Sequence, residues 1–499
     1  MIKSIYTTVL VLLFAATSAL AQSGVGSVKG KVTDADSKQT VIGASVRLYL
    51  NGLQKSVTVT DVNGSYKFSA LTPGRYDIKV KYVGYGEKQI DGVLIEADAT
   101  AVKNISLSLG NELKAVEIEA YVVPLIKRDQ TSTGGTITRA EIEAAPIRDI
   151  GGLAATSAGV QQSDDGGAIN VKGSRDNATD IFIDGMRVRG GSNLPNAAIE
   201  QVSVVTGGVS PQYGDVTGGV ISVTTRGASN EFTGGGEILT SQKLDAFGYN
   251  LAALNFSGPL LRKTEINGTK RAILGYFISG EYETQLESDP SAIGIWQVKD
   301  EKLKSLQKSP LIASGFGFVP SASFLTQDDL YISKVRPFAN DSRLSAAGKI
   351  DFQPGENATF TVGGNYDLTS GRNLIRAYSL LNASNSSEFK NNTWRAYARF
   401  KQRFGIDTVG VLRNAYYTIQ ADYTKTTTYS GDPNLGKDAF GYGYIGNFDQ
   451  VLGRGYTLLA DTLRRSDSSI VIDRNGNPVV AAAVLGALYW HKTALQPKA

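Results

Sequence analysis

The chain has no cysteine and only one histidine, His491, in 499 residues. Without cysteine there can be no disulfide staple, no thiolate metal site and no lipoprotein anchor at a signal-cleavage site. One histidine in the tail leaves a zinc centre built from several His and Glu ligands without its ligands, and a Ser-His-Asp triad without a placed base. Charge of one sign is also missing: 51 Lys and Arg stand against 47 Asp and Glu. Nothing in that balance calls for nucleic acid or an acidic substrate. After residue 21 no apolar run approaches the ~20 residues that a membrane-crossing helix needs. Any entry into a membrane must therefore be as a β-barrel, the other structure that satisfies its own backbone hydrogen bonds in lipid.

The N-terminus carries an address. Lys3 precedes the apolar run Val9–Ala16, and Ala19-Leu20-Ala21 is a small-x-small step before Gln22. This reads as a secretory signal peptide over residues 1–21, cleaved near Ala21 and too short to span a bilayer.

Residues 22–110 read as a small β-sandwich. Strands are expected at Val28–Val32, Ala44–Tyr49, Ser56–Thr60, Tyr66–Ala70, Arg75–Tyr82 and Val102–Leu107, with turns at Asp61–Gly64 and Pro73-Gly74. The run from Gly30 to Leu48 and that from Thr60 to Tyr85 resemble the carboxypeptidase regulatory-like domain found at the front of Bacteroidetes outer-membrane transporters. The label records homology and implies no peptidase.

Residues 127–229 are turn-dense and mixed. Short β-branched runs (Ile181–Ile183, Val202–Val205, Val220–Thr225) alternate with glycine turns, and helices are expected over Ile137–Ile142 and Ile150–Ala155. Five motifs follow in order: Lys172-Gly173; Ile183-Asp184-Gly185; Ile199-Glu200-Gln201-Val202 with Gly207; Tyr213-Gly214; and Gly218-Gly219 through Arg226. Their order and spacing resemble the plug domain of TonB-dependent outer-membrane transporters. Each motif residue is expected to have a structural role: Asp184-Gly185 as turn chemistry, Tyr213-Gly214 as a packed corner, and Arg187, Arg189 and Arg226 as ion-pair partners for a surrounding wall. Substrate contacts, if the plug makes any, are expected at its outer apex, at Arg187, Arg189 and Asn193.

From residue 230 onward, segments of ten to fourteen residues alternate with period two, as membrane barrel strands do. Phe360, Val362, Gly364, Tyr366 and Leu368 oppose Thr361, Asn365 and Asp367; Trp394, Ala396, Ala398 and Phe400 oppose Arg395, Arg399, Lys401 and Arg403; Ala415, Tyr417, Ile419, Ala421 and Tyr423 oppose Asn414, Thr418, Gln420 and Asp422. A soluble sheet with one solvated face has the same alternation in any single strand. Connections also alternate, tight at 262–271 and 354–357 and long at 285–343 and 370–391, as expected of an outer-membrane barrel. Residues 230–499 supply about eight to ten strands, against about 22 in a closed barrel of the family. The expectation is a partial barrel, the first half of a longer receptor or a truncated product.

Three further motifs carry no chemistry. Gly431–Asp438 nearly spells a phosphate loop, but Asp438 stands where a Ser or Thr hydroxyl must hold magnesium. Asp61–Gly64 and Asp473–Gly476 begin like calcium loops, but Tyr66 and Pro478 occupy the position that requires glycine. All three read as loops or hairpin turns. No metal and no cofactor is expected.

The connector, residues 111–126, is extended in character. Its segment Ala115-Val116-Glu117-Ile118-Glu119-Ala120-Tyr121 resembles the TonB box, by which the energy-coupling protein TonB grips a transporter through strand addition. A β-rich linker packed on the first domain is the competing reading. Taken together, the fold class is mainly β: sandwich, mixed α/β plug and part of an antiparallel transmembrane barrel. The resemblance implies a receptor in a Gram-negative outer membrane that imports a scarce solute (siderophore, glycan, vitamin or peptide) when TonB displaces the plug. Its implied partners are TonB, a small or oligomeric ligand, membrane lipid and a surface lipoprotein, with no nucleic acid and no enzymatic step. The alternative is a surface-binding or structural protein that transports nothing.

Overall fold

The computed structural model describes residues 25–97, 99–109, 117–121, 132–163, 167–175, 178–189, 192–214, 216–264, 270–314, 317–355, 357–404, 415–438, 448–455, 459–462, 470–478, 480–483 and 489–497. The signal-peptide reading, Ala115 and Val116 lie outside them. The chain divides into two compact units, one of residues 1–288, 340–371 and 389–429, the other of 289–339, 372–388 and 430–499.

The first unit begins with the sandwich. One sheet pairs β1 (Gly26–Asp34) antiparallel with β4 (Ser65–Leu71) and parallel with β7 (Thr100–Val102) and β8 (Ile105–Leu107). The other runs β3 (Leu53–Val59), β2 (Ser45–Leu50), β5 (Gly74–Lys81), β6 (Lys88–Ile95) and β9 (Glu117–Ala120). Period-two patterns send Val28, Val46, Leu48, Phe68, Ile78 and Val80 into one shared core. Two details depart from the sequence reading. Val102–Leu107 is two short strands, because Lys103-Asn104 steps between two stretches of β1. Strand β6 was not expected at all; Gly92 takes φ 74 within it, and the register shifts opposite, between Tyr76 and Ile78. Such a bulge breaks strict alternation.

The plug-like domain follows. Its main sheet has the order β10 (Thr133–Thr138), β15 (Ile199–Gly207), β16 (Val220–Thr225), β13 (Asp180–Ile183) and β14 (Met186–Arg187), with β11 (Val160–Gln162) and β12 (Ile169–Val171) as a separate pair. Helix α1 (Arg139–Ala144) starts two residues later than expected. Thr138 ends β10 instead and caps the helix, its amide and hydroxyl both bonded to the Glu141 carboxylate at 2.7 and 2.8 Å. Helix α2 (Ile150–Ala155) is capped by Asp149, which accepts from the Gly152 amide at 2.7 Å.

A seven-stranded antiparallel sheet then runs β17 (Thr233–Thr240), β18 (Asn250–Thr264), β19 (Lys270–Gln285), β24 (Asp341–Phe352), β25 (Ala358–Arg372), β26 (Glu388–Arg403) and β27 (Tyr416–Gly431). β17 and β27 are its two edges, so the barrel is not closed by the described residues. Its patterning is that of a membrane wall. Leu254, Phe256, Ile278, Tyr282, Ile350, Val362, Trp394 and Ile419 are exposed on the outside, while Ser257, Ser279, Glu281, Ser345, Lys349, Asn365, Asp367 and Arg395 are buried within. At one end two connections are short (265–269, 353–357), and at the other two are long (286–340, 373–387), while 404–415 and 241–249 are of intermediate length.

The second unit contains the antiparallel pairs β20 (Ile295–Val298) with β23 (Leu330–Ser333) and β21 (Leu311–Ser314) with β22 (Gly317–Pro320), and helix α3 (Asp300–Lys308). Two further pairs, β28 (Phe448–Gly455) with β31 (Tyr489–Pro497) and β29 (Leu459–Thr462) with β30 (Val480–Ala483), complete it. No helix among the described residues is long and apolar enough to cross a membrane.

Candidate functional site

Asp184 is where the plug meets the wall. It opens the two-residue turn between β13 and β14 at φ 49, followed by Gly185 at φ 79, a left-handed pair that suits Asp-Gly. The turn aims a carboxylate that is 7% exposed toward the barrel. Thr225 donates its amide and hydroxyl to it at 2.9 and 2.5 Å, Tyr397 donates its hydroxyl at 2.9 Å, and the Lys349 ammonium lies 3.2 Å away. Arg399 donates to the Asp184 carbonyl. Burial opposes ionisation, yet Lys349 and Arg399 outweigh it and hold this carboxyl below the usual aspartate range. Lys349 also donates to the Thr225 carbonyl at 3.0 Å, so one lysine joins the ends of two plug strands.

Two more ties lie beside this one. Arg148, just before α2, pairs with Glu237 and, at 3.3 Å, with buried Glu281. Arg395 donates to the Arg189 carbonyl at 3.0 Å, and Asn193 hydrogen-bonds Asp367. Of the three residues expected at the apex, Arg189 (through its carbonyl) and Asn193 are bound to the wall. Arg187 is paired with Asp180 at 2.8 Å on its own sheet. The polar faces of β25 and β26 were legible as an inward surface. Tyr397, Lys349 and Arg148 were not, since their partners lie 89 to 213 residues away in the chain.

The remaining motif residues build the plug itself. Lys172-Gly173 is a left-handed turn (φ 50 and 77) whose ammonium reaches the Thr133 hydroxyl at 3.1 Å. Tyr213 packs edge-on against Phe182 with ring centroids 4.9 Å apart, and Gly214 (φ 67) turns the chain behind it. A Cβ on Gly218 or Gly219 would lie 2.8 or 2.9 Å from the backbone oxygens of Ala178 and Val205, so neither position accepts a side chain. Gly207 is crowded by the Thr133 hydroxyl at 2.9 Å. The Arg226 guanidinium lies 5.7 Å over the Phe277 ring. Burial raises the Glu200 carboxyl above the usual glutamate range, against the pull of Arg139 and Arg226.

The connector has a definite place. Glu117–Ala120 forms β9, parallel to β6, with the Glu117 amide on the Glu87 carbonyl (3.2 Å) and the Tyr121 amide on that of Asp91 (2.9 Å). Lys88 meets Glu117 and Glu119 at 3.1 and 3.3 Å, Lys103 meets Glu119 at 2.7 Å, and the Lys103 ammonium lies 5.8 Å over the Tyr121 ring. These lysines hold the Glu119 carboxyl below the usual glutamate range, Lys103 chiefly. In a parallel ladder alternate residues face the neighbour, so the backbone groups of Ile118 and Ala120 point away from β6. No further strand lies on that side among the described residues, and Ile118 is 64% exposed.

Comparison with known proteins agrees with this architecture. Residues 27–108 match the family described as carboxypeptidase regulatory-like domain, and residues 126–220 match the TonB-dependent receptor plug domain. The TonB-dependent transporter Oar of Myxococcus xanthus is 28% identical over 235 residues, 44% of this chain and 22% of that protein. A probable TonB-dependent siderophore receptor, PirA of Acinetobacter baumannii, is 27% identical over 205 residues, 35% of this chain and 26% of its own length. The chain therefore spans about a quarter of these curated relatives. Among solved structures, Pseudomonas aeruginosa FpvA bound to a heterologous pyoverdine aligns with a TM-score of 0.41 at 14% identity, covering 66% of this chain and 38% of that one. The two matched domains and these relatives support a TonB-dependent receptor with an N-terminal carboxypeptidase regulatory-like domain.

Proposed function

We propose that this chain belongs to an outer-membrane importer in which β9 is the coupling handle and the plug, seated on Lys349, Tyr397 and Arg399, is the gate. The domain limits follow the sequence reading: signal peptide 1–21, regulatory-like sandwich 22–110, connector 111–126, plug 127–229 and barrel from 230. Supporting the reading is one observation above the rest. The TonB-box-like segment Ala115–Tyr121 contains a strand, β9, at the edge of the sandwich's second sheet, with its outer edge open among the described residues. An open edge is what a partner strand needs in order to add itself, backbone hydrogen bonds giving affinity and alternate side chains specificity.

The mechanism needs no covalent chemistry. Solute binds at the outer loops and plug apex, TonB takes hold of β9 from the periplasm, and the proton gradient supplies the pull that draws plug strands off the wall. The solute class is siderophore, glycan, vitamin or peptide. The A. baumannii relative, being named a siderophore receptor, makes ferric siderophores the first panel to try. Deleting residues 115–121 from the full-length receptor tests the handle. Binding of the purified periplasmic domain of TonB should be lost while the receptor still assembles; unchanged TonB binding would remove the assignment.

A further inference from the structure

The sandwich does not simply hang on its connector. Three of its segments touch the plug and the wall. At the β2–β3 turn, the Asn230 amide donates to the Asn51 carbonyl at 3.4 Å, and a Cβ on Gly52 would lie 3.7 Å from that of Asn230. The Lys55 carbonyl on β3 accepts from Arg403 at 3.4 Å. The β4–β5 turn reaches further. Ala70 takes φ 55, a left-handed conformation rare for alanine, and its carbonyl accepts from Lys401 at 2.6 Å and from Arg403 at 3.1 Å. Pro73 and Gly74, at the tip of that turn, are buried. Turn tips normally face water. Here the tip lies against the plug, where a Cβ on Gly74 would be 3.9 Å from the Glu200 carboxylate. A cavity of about 80 Å³ remains between the three parts, edged by Tyr76, Glu200, Thr225, Asp351, Lys401 and Arg403.

The contact gathers Lys55 of the first domain with Lys349, Lys401 and Arg403 of the wall around the carboxylate of Asp351. Lys401 is 8% exposed, and a lysine at that depth needs an oxygen partner. The first domain supplies one through a backbone carbonyl rather than a carboxylate. Such a bond is strong when dry and is replaced by water when the domain lifts, which makes the contact reversible. Both docking turns join the sheet that carries β9 at its far edge, through β2, β3 and β5, while Ala70 itself lies in β4 of the other sheet.

We propose that the regulatory-like domain is a latch over the inner mouth of the receptor: seated on Lys401, Arg403 and the plug surface at Glu200, it covers the plug's way out at rest and lifts when β9 is drawn away. The lifting step rests on the reading of β9 as the coupling handle; the seated latch does not.

Residues 1–499 contain no cysteine that could compete with an introduced pair. Gly52→Cys with Asn230→Cys places two Cβ atoms at a separation that suits a disulfide. In outer membranes from resting cells the pair should close on mild oxidation. Adding Lys401→Met and Arg403→Met should cut the closed fraction about tenfold, as expected for the loss of hydrogen bonds to charged donors. Since Gly52 sits at φ 73, a single Thr72→Cys on the docked turn gives a second measurement free of that strain. A membrane-impermeant maleimide should label it slowly in the parent and about tenfold faster in the Lys401→Met, Arg403→Met background. Equal labelling in both backgrounds, or no closure of a pair whose single variants fold, would overturn the latch whatever β9 does. The purified periplasmic domain of TonB is the last probe. Faster Thr72→Cys labelling in its presence supports lifting through β9, and no change with the latch intact would overturn the lifting step alone.

Discussion

Asp184 shows how one residue can satisfy a backbone and an electrostatic demand together. Its left-handed turn would suit Asn or Gly equally well, but only a carboxylate can compensate Lys349, which is 8% exposed beside it. Asp184→Asn separates the two roles, since it keeps the turn and removes the charge. Leaving Lys349 buried without its salt-bridge partner, with only the more distant Asp351 and Glu200 carboxylates to offset it, should destabilise the plug seat by up to about 3 kcal/mol. The expected readout is a lowered melting temperature of the detergent-solubilised receptor with strand content unchanged. Lys349→Met added to Asp184→Asn should recover much of the loss, because the buried ammonium is removed together with its partner. Equal melting of the single variant and the parent would show that the ion pair contributes nothing to the seat.

At the scale of elements, β9 is held by charges that titrate. Glu119 faces Lys103 and Lys88, with Glu117 on the same strand and Tyr121 and Glu96 close by. Its carboxyl is depressed in the docked strand relative to the free one, so docking is favoured above the ordinary glutamate range near 4.5. That contribution is lost as pH falls through the depressed value. Hydrogen exchange of the Tyr121 amide, which bonds to Asp91, should stay slow at neutral pH and quicken below the glutamate range, once intrinsic exchange is corrected for. Glu119→Gln should show little of that pH dependence; an identical profile would assign it elsewhere. The element scale also explains what was readable. β1, β2, β4 and β5 announce themselves by alternation, and the plug by turn glycines at positive φ or, at Gly218 and Gly219, where a side chain would strike backbone. β6 does not, because Gly92 shifts its register. The docking of β9 was also hidden, because Lys88 and Lys103 look like solvated lysines until the fold brings Glu117 and Glu119 against them.

For the molecule as a whole, the decisive feature is that the large sheet is inside out. A soluble sheet hides its apolar face and exposes its charges; here Phe256, Ile278 and Ile350 face outward while Lys349, Asp367 and Arg395 face the plug. Any one strand is ambiguous in sequence. The folded sheet removes the ambiguity, because the plug fills the charged side. Ile278 stands near the middle of the sixteen-residue β19, 53% exposed, opposite Phe256 on one neighbour and Gly348 on the other. On a water-facing sheet Ile278→Arg would change stability by no more than about 0.5 kcal/mol. On a lipid-facing wall at mid-depth it should cost roughly 2–4 kcal/mol. Urea unfolding of the full-length receptor in phosphatidylcholine vesicles distinguishes these. The same substitution at Leu260, nearer the end of β18 and also exposed, should cost less, because the penalty falls toward the interface. A depth-independent effect would contradict the reading of this face as lipid-facing.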